Sequence, residues 1–188
     1  MILSGLFFII WDELFTINNV WSFNSNYVSG LYIRHLPIEE VLFFICVPYA
    51  CLFIYEVCNA YFKIHWNPTL IQILTWFFIV ICVLCSVLFF DRMYTMVNTI
   101  TCLIVLLVAR YCLSSNTLGY FFMAYGISLI PFLLCNGILT SLPIVIYNNA
   151  ENTGIRIHTI PIEDTIYCLT LLLSPLLIMN FLHKKKTA

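Results

Sequence analysis

Charge is what this sequence has least of. Only 9% of its 188 residues are Asp, Glu, Lys or Arg, against 62% hydrophobic residues, whereas soluble domains carry about a quarter charged side chains. A soluble fold of this size would have too few polar groups to cover its surface, a difficulty that a lipid environment removes. The net charge of −1 offers no basic patch for nucleic acid, so none is expected as a partner. Glycine is scarce, at six residues. There is no Gly-rich dinucleotide fingerprint, P-loop, H-E-x-x-H or nucleophile elbow, which counts against hydrolases, phosphoryl-transfer enzymes and nucleotide-dependent oxidoreductases. No basic leader precedes the apolar N-terminal stretch, which runs directly into Trp11-Asp12-Glu13, so a cleavable signal peptide is not expected.

Cysteine, by contrast, is plentiful. All nine residues lie in apolar stretches. Cys82 and Cys85 form a C-x-x-C with no second pair and no nearby His, so the cysteines read as small packing hydrophobes and no metal site is expected.

What the chain does contain is long apolar segments. A membrane-crossing helix needs ~20 of them in succession, and this predicts spans at 38–60, 68–90, 94–113, 119–140 and 162–182, with a shorter apolar helix over 1–16. The segments 17–37 and 141–161 hold most of the polar residues and read as long loops. The expected fold class is an all-α integral membrane protein of about six transmembrane helices.

The two long loops are related. Displaced by 124 positions, residues 11–40 align without a gap on 135–164: Thr16 on Thr140, Asn24 on Asn148, Gly30 on Gly154, and Pro37-Ile38-Glu39 on Pro161-Ile162-Glu163. Asp12/Asn136, Phe23/Tyr147 and Glu40/Asp164 are conservative matches. Agreement of Gly, Pro, Asn and acid positions is not a by-product of hydrophobicity and indicates an internal duplication. The division it suggests is a first repeat over 1–60, N-terminally incomplete, a connecting helix over 61–93, and a second repeat over 94–188. Counting crossings makes the repeats parallel, with both Pro-Ile-Glu motifs on one side of the membrane. The helix at 94–113 has no counterpart in the first unit, so a further helix is expected ahead of 1–16. Lys63, Arg110 and Lys184–Lys186 on one side outnumber Arg34, Arg92 and Arg156 on the motif side, which favours a cytoplasmic C-terminus.

The chemistry rests on the acids. Glu39/Glu40 and Glu163/Asp164 each follow a Pro-Ile pair at the start of an apolar segment. Prolines and acids suit the first turn of a helix, so capping explains part of the pattern. Yet the acids come in adjacent pairs, in both halves, and an ionisable side chain in the membrane costs ~2.5–3.5 kcal/mol on insertion scales. That favours a catalytic role, most strongly for Glu39 and Glu163. Adjacent carboxyls near apolar surroundings do not both ionise readily, and a held proton beside a greasy cavity is what a general acid toward an apolar substrate needs. Asp12 stands where the second repeat has Asn136. Aromatics make up 16% of residues, and some, such as Trp21, Phe43 and Phe44, are candidates to line a site where ring faces stabilise a carbocation.

The ordered set Trp11-Asp12-Glu13-Leu14-Phe15-Thr16, Trp21-Ser22-Phe23-Asn24, Leu36-Pro37-Ile38-Glu39-Glu40, Phe43-Phe44 and Pro48-Tyr49 resembles the integral-membrane lycopene cyclases. The second half matches through Asn136-Gly137-Ile138-Leu139-Thr140, Tyr147 to Asn152, Gly154-Ile155-Arg156 and Ile160-Pro161-Ile162-Glu163-Asp164. The resemblance covers nearly the whole chain and implies a lycopene β-cyclase. A carboxylic acid protonates the terminal double bond of lycopene, the cation closes a six-membered ring, and a base removes a proton. Two such closures lead through γ-carotene to β-carotene. Glu39, Glu40, Glu163 and Asp164 are the implied acid and base candidates. Asp12, Trp21, Asn24, Phe43, Phe44, Asn148, Glu151 and Arg156 are the implied substrate-binding or supporting residues. No cofactor is evident. The implied partners are the carotenoid and membrane lipid, with a homo-oligomer or association with other carotenoid enzymes as further options, in a bacterial cytoplasmic membrane. The alternatives are a carotenoid hydratase, in which water captures the cation, a C50 carotenoid cyclase, and, outside enzymology, a small membrane carrier using paired acids as a proton relay.

Overall fold

Apolar runs of twenty or more residues in lipid must satisfy every backbone polar group internally, and the helix does so within one segment. The computed structural model of the chain describes residues 2–187, and side chains from Leu3 to Leu182. The side chains of Lys184–Lys186, used above for orientation, lie outside the described residues. Among the described residues are six helices: α1 (Ile2–Ile17), α2 (Ile38–Tyr61), α3 (Pro68–Leu88), α4 (Met93–Cys112), α5 (Ser115–Ser141) and α6 (Glu163–Thr187). All but α1 are long and apolar enough to cross a membrane. At 1.5 Å per residue α1 reaches only ~24 Å, short of the ~30 Å hydrocarbon core. The helices start where local chemistry satisfies free N–H groups. Thr69 N donates to the Asn67 side chain ahead of α3, and Thr117 N to Ser114 Oγ ahead of α5. Pro37 and Pro68, at the starts of α2 and α3, give up an N–H that would have had no helical partner.

Helix α6 is the hub, contacting α1, α2, α4 and α5, while α3 packs on α4 and α5. Leu169, Leu171, Leu173 and Cys168 of α6 are fully buried, whereas Ile73, Phe77, Val80 and Leu84 of α3 face outward. The loop between α2 and α3 lies over the end of α5. There the Tyr120 hydroxyl donates to the Phe62 carbonyl and accepts from Ile64 N, and Trp66 packs edge-on against the Tyr120 ring.

The two long loops contain more regular structure than their polar sequence suggests. Each folds into a two-residue hairpin, β2–β3 (Tyr32–Ile33, Leu36–Pro37) and β5–β6 (Arg156–Ile157, Ile160–Pro161), and each contributes one strand, β1 (Trp21–Phe23) or β4 (Val145–Tyr147), to a shared ribbon. Residues 124 apart take the same backbone states: Gly30 and Gly154 have φ of 80° and 77°, and Arg34 and His158 have 60° and 58°. Their bonds match too. Asn26 N donates to the Asn24 side chain as Ala150 N does to Asn148, and Ile38 N donates to Leu31 O as Ile162 N does to Ile155 O.

The β1–β4 ribbon is where the halves meet. Its antiparallel register pairs Trp21 with Tyr147, Ser22 with Ile146 and Phe23 with Val145. Ser22 and Ile146 are themselves 124 apart, and the flanking pairs exchange under the same shift. An antiparallel pairing of equivalent strands has a local two-fold through its centre, so a pseudo-two-fold axis passes through the Ser22–Ile146 pair.

Candidate functional site

A cavity of about 50 Å³ lies beneath the ribbon, lined by side chains from α1, α2, α4, α5, α6, β1 and β4. Its walls come in repeat-related pairs: Asp12 and Asn136, Trp21 and Val145, Phe23 and Tyr147, Glu40 and Asp164, Phe43 and Tyr167. The two halves therefore build one site between them. Phe44, Tyr94, Phe132, Leu139 and Thr140 complete the wall.

The polar contacts are asymmetric. Asp164 is buried and accepts from the Tyr94 hydroxyl at 2.5 Å, the Tyr147 hydroxyl at 2.9 Å and Asn136 Nδ2 at 3.1 Å. Burial, together with the nearby Asp164 charge, pushes the Tyr147 phenol well above its ordinary value, so at neutral pH it remains a donor. Across the axis Asp12 accepts from Trp21 Nε1 at 2.6 Å through Oδ1, while Oδ2 is buried without a partner among the described residues. The Glu40 side chain has no hydrogen bond among the described residues and shares the cavity wall with Asp12 and Asp164. The Tyr167 hydroxyl is also buried without a partner among the described residues. Unpartnered buried polar atoms are costly, and here two of them belong to residues lining one small cavity.

The rings form a continuous box. Trp21 meets Tyr94 edge-on at 5.2 Å, Tyr94 stacks on Tyr147 at 5.9 Å, and Tyr167 stands edge-on to Phe8 at 5.5 Å and Trp11 at 5.4 Å. Aromatic faces carry negative charge density that attracts cations.

The structure divides each acid pair. Glu40 and Asp164, the second acids, enter the cavity. Glu39 and Glu163, the first, turn toward their own loops: Glu39 Oε1 accepts from Ser29 N at 2.8 Å and Glu163 Oε1 from Thr153 N at 2.6 Å. Glu39 is exposed, while Glu163 is buried and also accepts from Thr95 Oγ1 at 2.7 Å. Of the other residues singled out from sequence, Asp12, Trp21, Phe43 and Phe44 line the cavity. Asn24 and Asn148 close turns. Glu151 accepts from Met93 N at the start of α4, and Arg156 donates to the Thr159 carbonyl and the Asn149 side chain. Tyr94, Phe132, Tyr147 and Tyr167 were not singled out for the site by sequence. The shift of 124 relates Tyr147 to Phe23 and Tyr167 to Phe43, so the repeat contained the signal for these two. The shift pairs Tyr94 with none of the described residues, and its contact with Asp164 appears only once α4 is packed on α6.

A family comparison fits this geometry. The sequence model for lycopene cyclase matches residues 1–58 and 91–182. The chain belongs to the lycopene cyclase family. No curated protein and no solved structure matches it. Its membership, with the five apolar helices, makes it a membrane protein of carotenoid biosynthesis. The match leaves out 59–90, which holds the end of α2, the loop after it and the whole of α3. All the cavity residues of this cyclase fall inside the matched regions.

Proposed function

We propose that the protein is a lycopene β-cyclase that closes the ends of the linear polyene at the single cavity on the pseudo-two-fold axis. The observation that carries this reading is the convergence of Asp12, Glu40 and Asp164 inside one aromatic box. An acid-catalysed cyclisation needs a proton donor, a proton acceptor and a surround that tolerates a carbocation without delivering water to it. The three carboxyls and the ring faces of Trp21, Tyr94, Tyr147 and Tyr167 meet those needs.

The asymmetry of the site supports an assignment of roles. In the second half Asn136 Nδ2 donates to Asp164. In the first half the corresponding residues are Asp12 and Glu40, two acids, and this pair lacks the donor hydrogen unless a proton resides there. We assign that proton to Glu40, with Asp12 facing it. It is delivered to the terminal double bond of lycopene. The internal double bond attacks the cation, a ring carbon–carbon bond forms, and the charge moves into the new ring. Asp164, aligned by three donors, removes a ring proton and restores a double bond. One proton enters and one leaves, so the reaction is an isomerisation, and proton return from Asp164 to the Asp12–Glu40 pair resets the site. Glu39 and Glu163 serve in this reading as latches that hold each loop against its helix.

The test is expression of the chain in a lycopene-accumulating bacterium, followed by pigment chromatography. β-Carotene, with γ-carotene as the intermediate, is the expected product. Unchanged lycopene in membranes containing the inserted protein overturns the proposal, and a hydroxylated open-chain pigment replaces cyclase with hydratase.

A further inference from the structure

The pseudo-two-fold is also broken beside the acids, at the end of α1. Glu13 stands where the second repeat has Gly137, and His35 where it has Thr159. The two side chains meet: Glu13 Oε1 is 2.6 Å from His35 Nδ1, and Glu13 Oε2 accepts from His35 N at 3.3 Å. Glu13 is buried, whereas the His35 side chain, at the turn of the β2–β3 hairpin, is 63% exposed. The pair therefore runs from the packed end of α1 to the surface.

Its inner end approaches Asp12. Glu13 does not itself line the cavity, whose wall includes Asp12. Thr16 spans the interval: it lies three residues after Glu13 and four after Asp12, the two spacings that make side chains neighbours on a helix. The Thr16 hydroxyl and Asp12 Oδ2 are both buried without a partner among the described residues. In the second half the corresponding hydroxyl is in use, since Thr140 Oγ1 donates to the Asn136 carbonyl and meets Thr159 Oγ1 at 2.6 Å. A Glu–His contact as a plain surface ion pair adds little stability. That reading accounts neither for the burial of Glu13 nor for the two idle oxygens behind it. Nor does it explain why the series occurs only in the half that carries two acids.

We propose that His35, Glu13 and Thr16 form a proton port connecting the Asp12–Glu40 pair to water. The inference rests on the cyclase reading, in which that pair holds the proton delivered to the polyene. A proton taken up from water at His35 Nε2 releases the one on Nδ1 to Glu13. Glu13 protonates the Thr16 hydroxyl as that hydroxyl passes its own proton to Asp12 Oδ2, a hydroxyl being both donor and acceptor. The reverse sequence discharges the pair. One proton leaves water and one reaches the pair, with no change of redox state. The port charges the pair before the first turnover and replaces a proton lost from it, while return from Asp164 serves successive closures. None of the three relay residues touches the substrate.

The experiment follows the full chain in liposomes by infrared spectroscopy after a switch from H2O to D2O. The protonated carboxyl of the pair gives a carbonyl band that shifts on deuteration and is identified by its loss in Glu40→Gln. Exchange of this band is expected to slow by about 10²-fold in Glu13→Gln, Thr16→Val and His35→Ala, the lower end of what a positioned proton-transfer group contributes. Added imidazole should restore the rate in His35→Ala, whose exposed position makes misfolding no explanation. His158→Ala, on the matching hairpin of the second half, should exchange as the parent does. Equal rates in the parent and the three relay variants overturn the port alone and route the proton elsewhere. A slow His35→Ala rate that imidazole leaves unchanged removes His35 from the path and overturns the port as drawn. Absence of any band that depends on Glu40 overturns the proton assignment of the cyclase reading, and the port with it.

Discussion

Glu39 and Glu40 are neighbours in sequence with opposite surroundings, and substituting each in turn separates catalysis from loop anchoring. Glu40→Gln keeps the size of the side chain and its capacity to hydrogen-bond, but removes the proton that can be delivered to a double bond. Glu40 lines the cavity and its side chain has no hydrogen-bonded partner among the described residues, so little structure depends on its charge. A positioned acid or base contributes about 10²–10⁴-fold to rate, equivalent to ~3–5 kcal/mol of barrier. Ring closure by this variant should fall by that factor while the protein inserts and melts as before. Glu39→Gln leaves an amide oxygen that still accepts from Ser29 N, at an exposed position where charge contributes little, so its rate should stay within about fivefold of the parent. The assay is the initial rate of cyclised product from lycopene in liposomes, by chromatography, normalised to inserted protein. The assignment fails if Glu40→Gln retains more than about a tenth of the parental rate, or if Glu39→Gln falls as far as Glu40→Gln.

Further outcomes follow from the same geometry. Asp12→Asn converts the first-half acid pair into the amide–acid pattern of Asn136 and Asp164; it should lower the rate by about 10²-fold or more if the pair carries the proton, and an unchanged pigment profile would refute a shared role. Tyr94→Phe and Tyr147→Phe each remove one of the three donors to Asp164, at ~1–2 kcal/mol apiece, which should slow product formation by about tenfold each. Gly119→Ala places a Cβ 2.2 Å from Trp66 Cγ, so the loop after α2 must shift. The expected cost is ~1–3 kcal/mol, read as a lowered melting temperature with the cavity chemistry intact.

Much of the fold was legible before folding was considered. Lipid selects for length and hydropathy, and α2 to α6 begin and end within a few residues of the predicted spans except at the start of α5, which reaches back to Ser115, and the end of α6, which runs on to Thr187. The polar loops concealed their strands, because two- and three-residue pairings with left-handed turns at Arg34 and His158 leave no alternating pattern to read.

By itself the sequence determined the membrane class, the shift of 124, the two acid motifs and the family. It did not decide which acid in each pair faces the cavity. Successive residues on a helix point about 100° apart, so only one of two adjacent carboxyls can enter a cavity while the other turns away. Which one enters depends on the rotational phase of α2 and α6, set by packing against α1, α4 and α5 and by the β1–β4 ribbon that holds the halves together. Sequence favoured Glu39 and Glu163; tertiary packing put Glu40 and Asp164 in the cavity. Packing also brought Tyr94 of α4 to Asp164, seventy residues away, a meeting that no local pattern encodes.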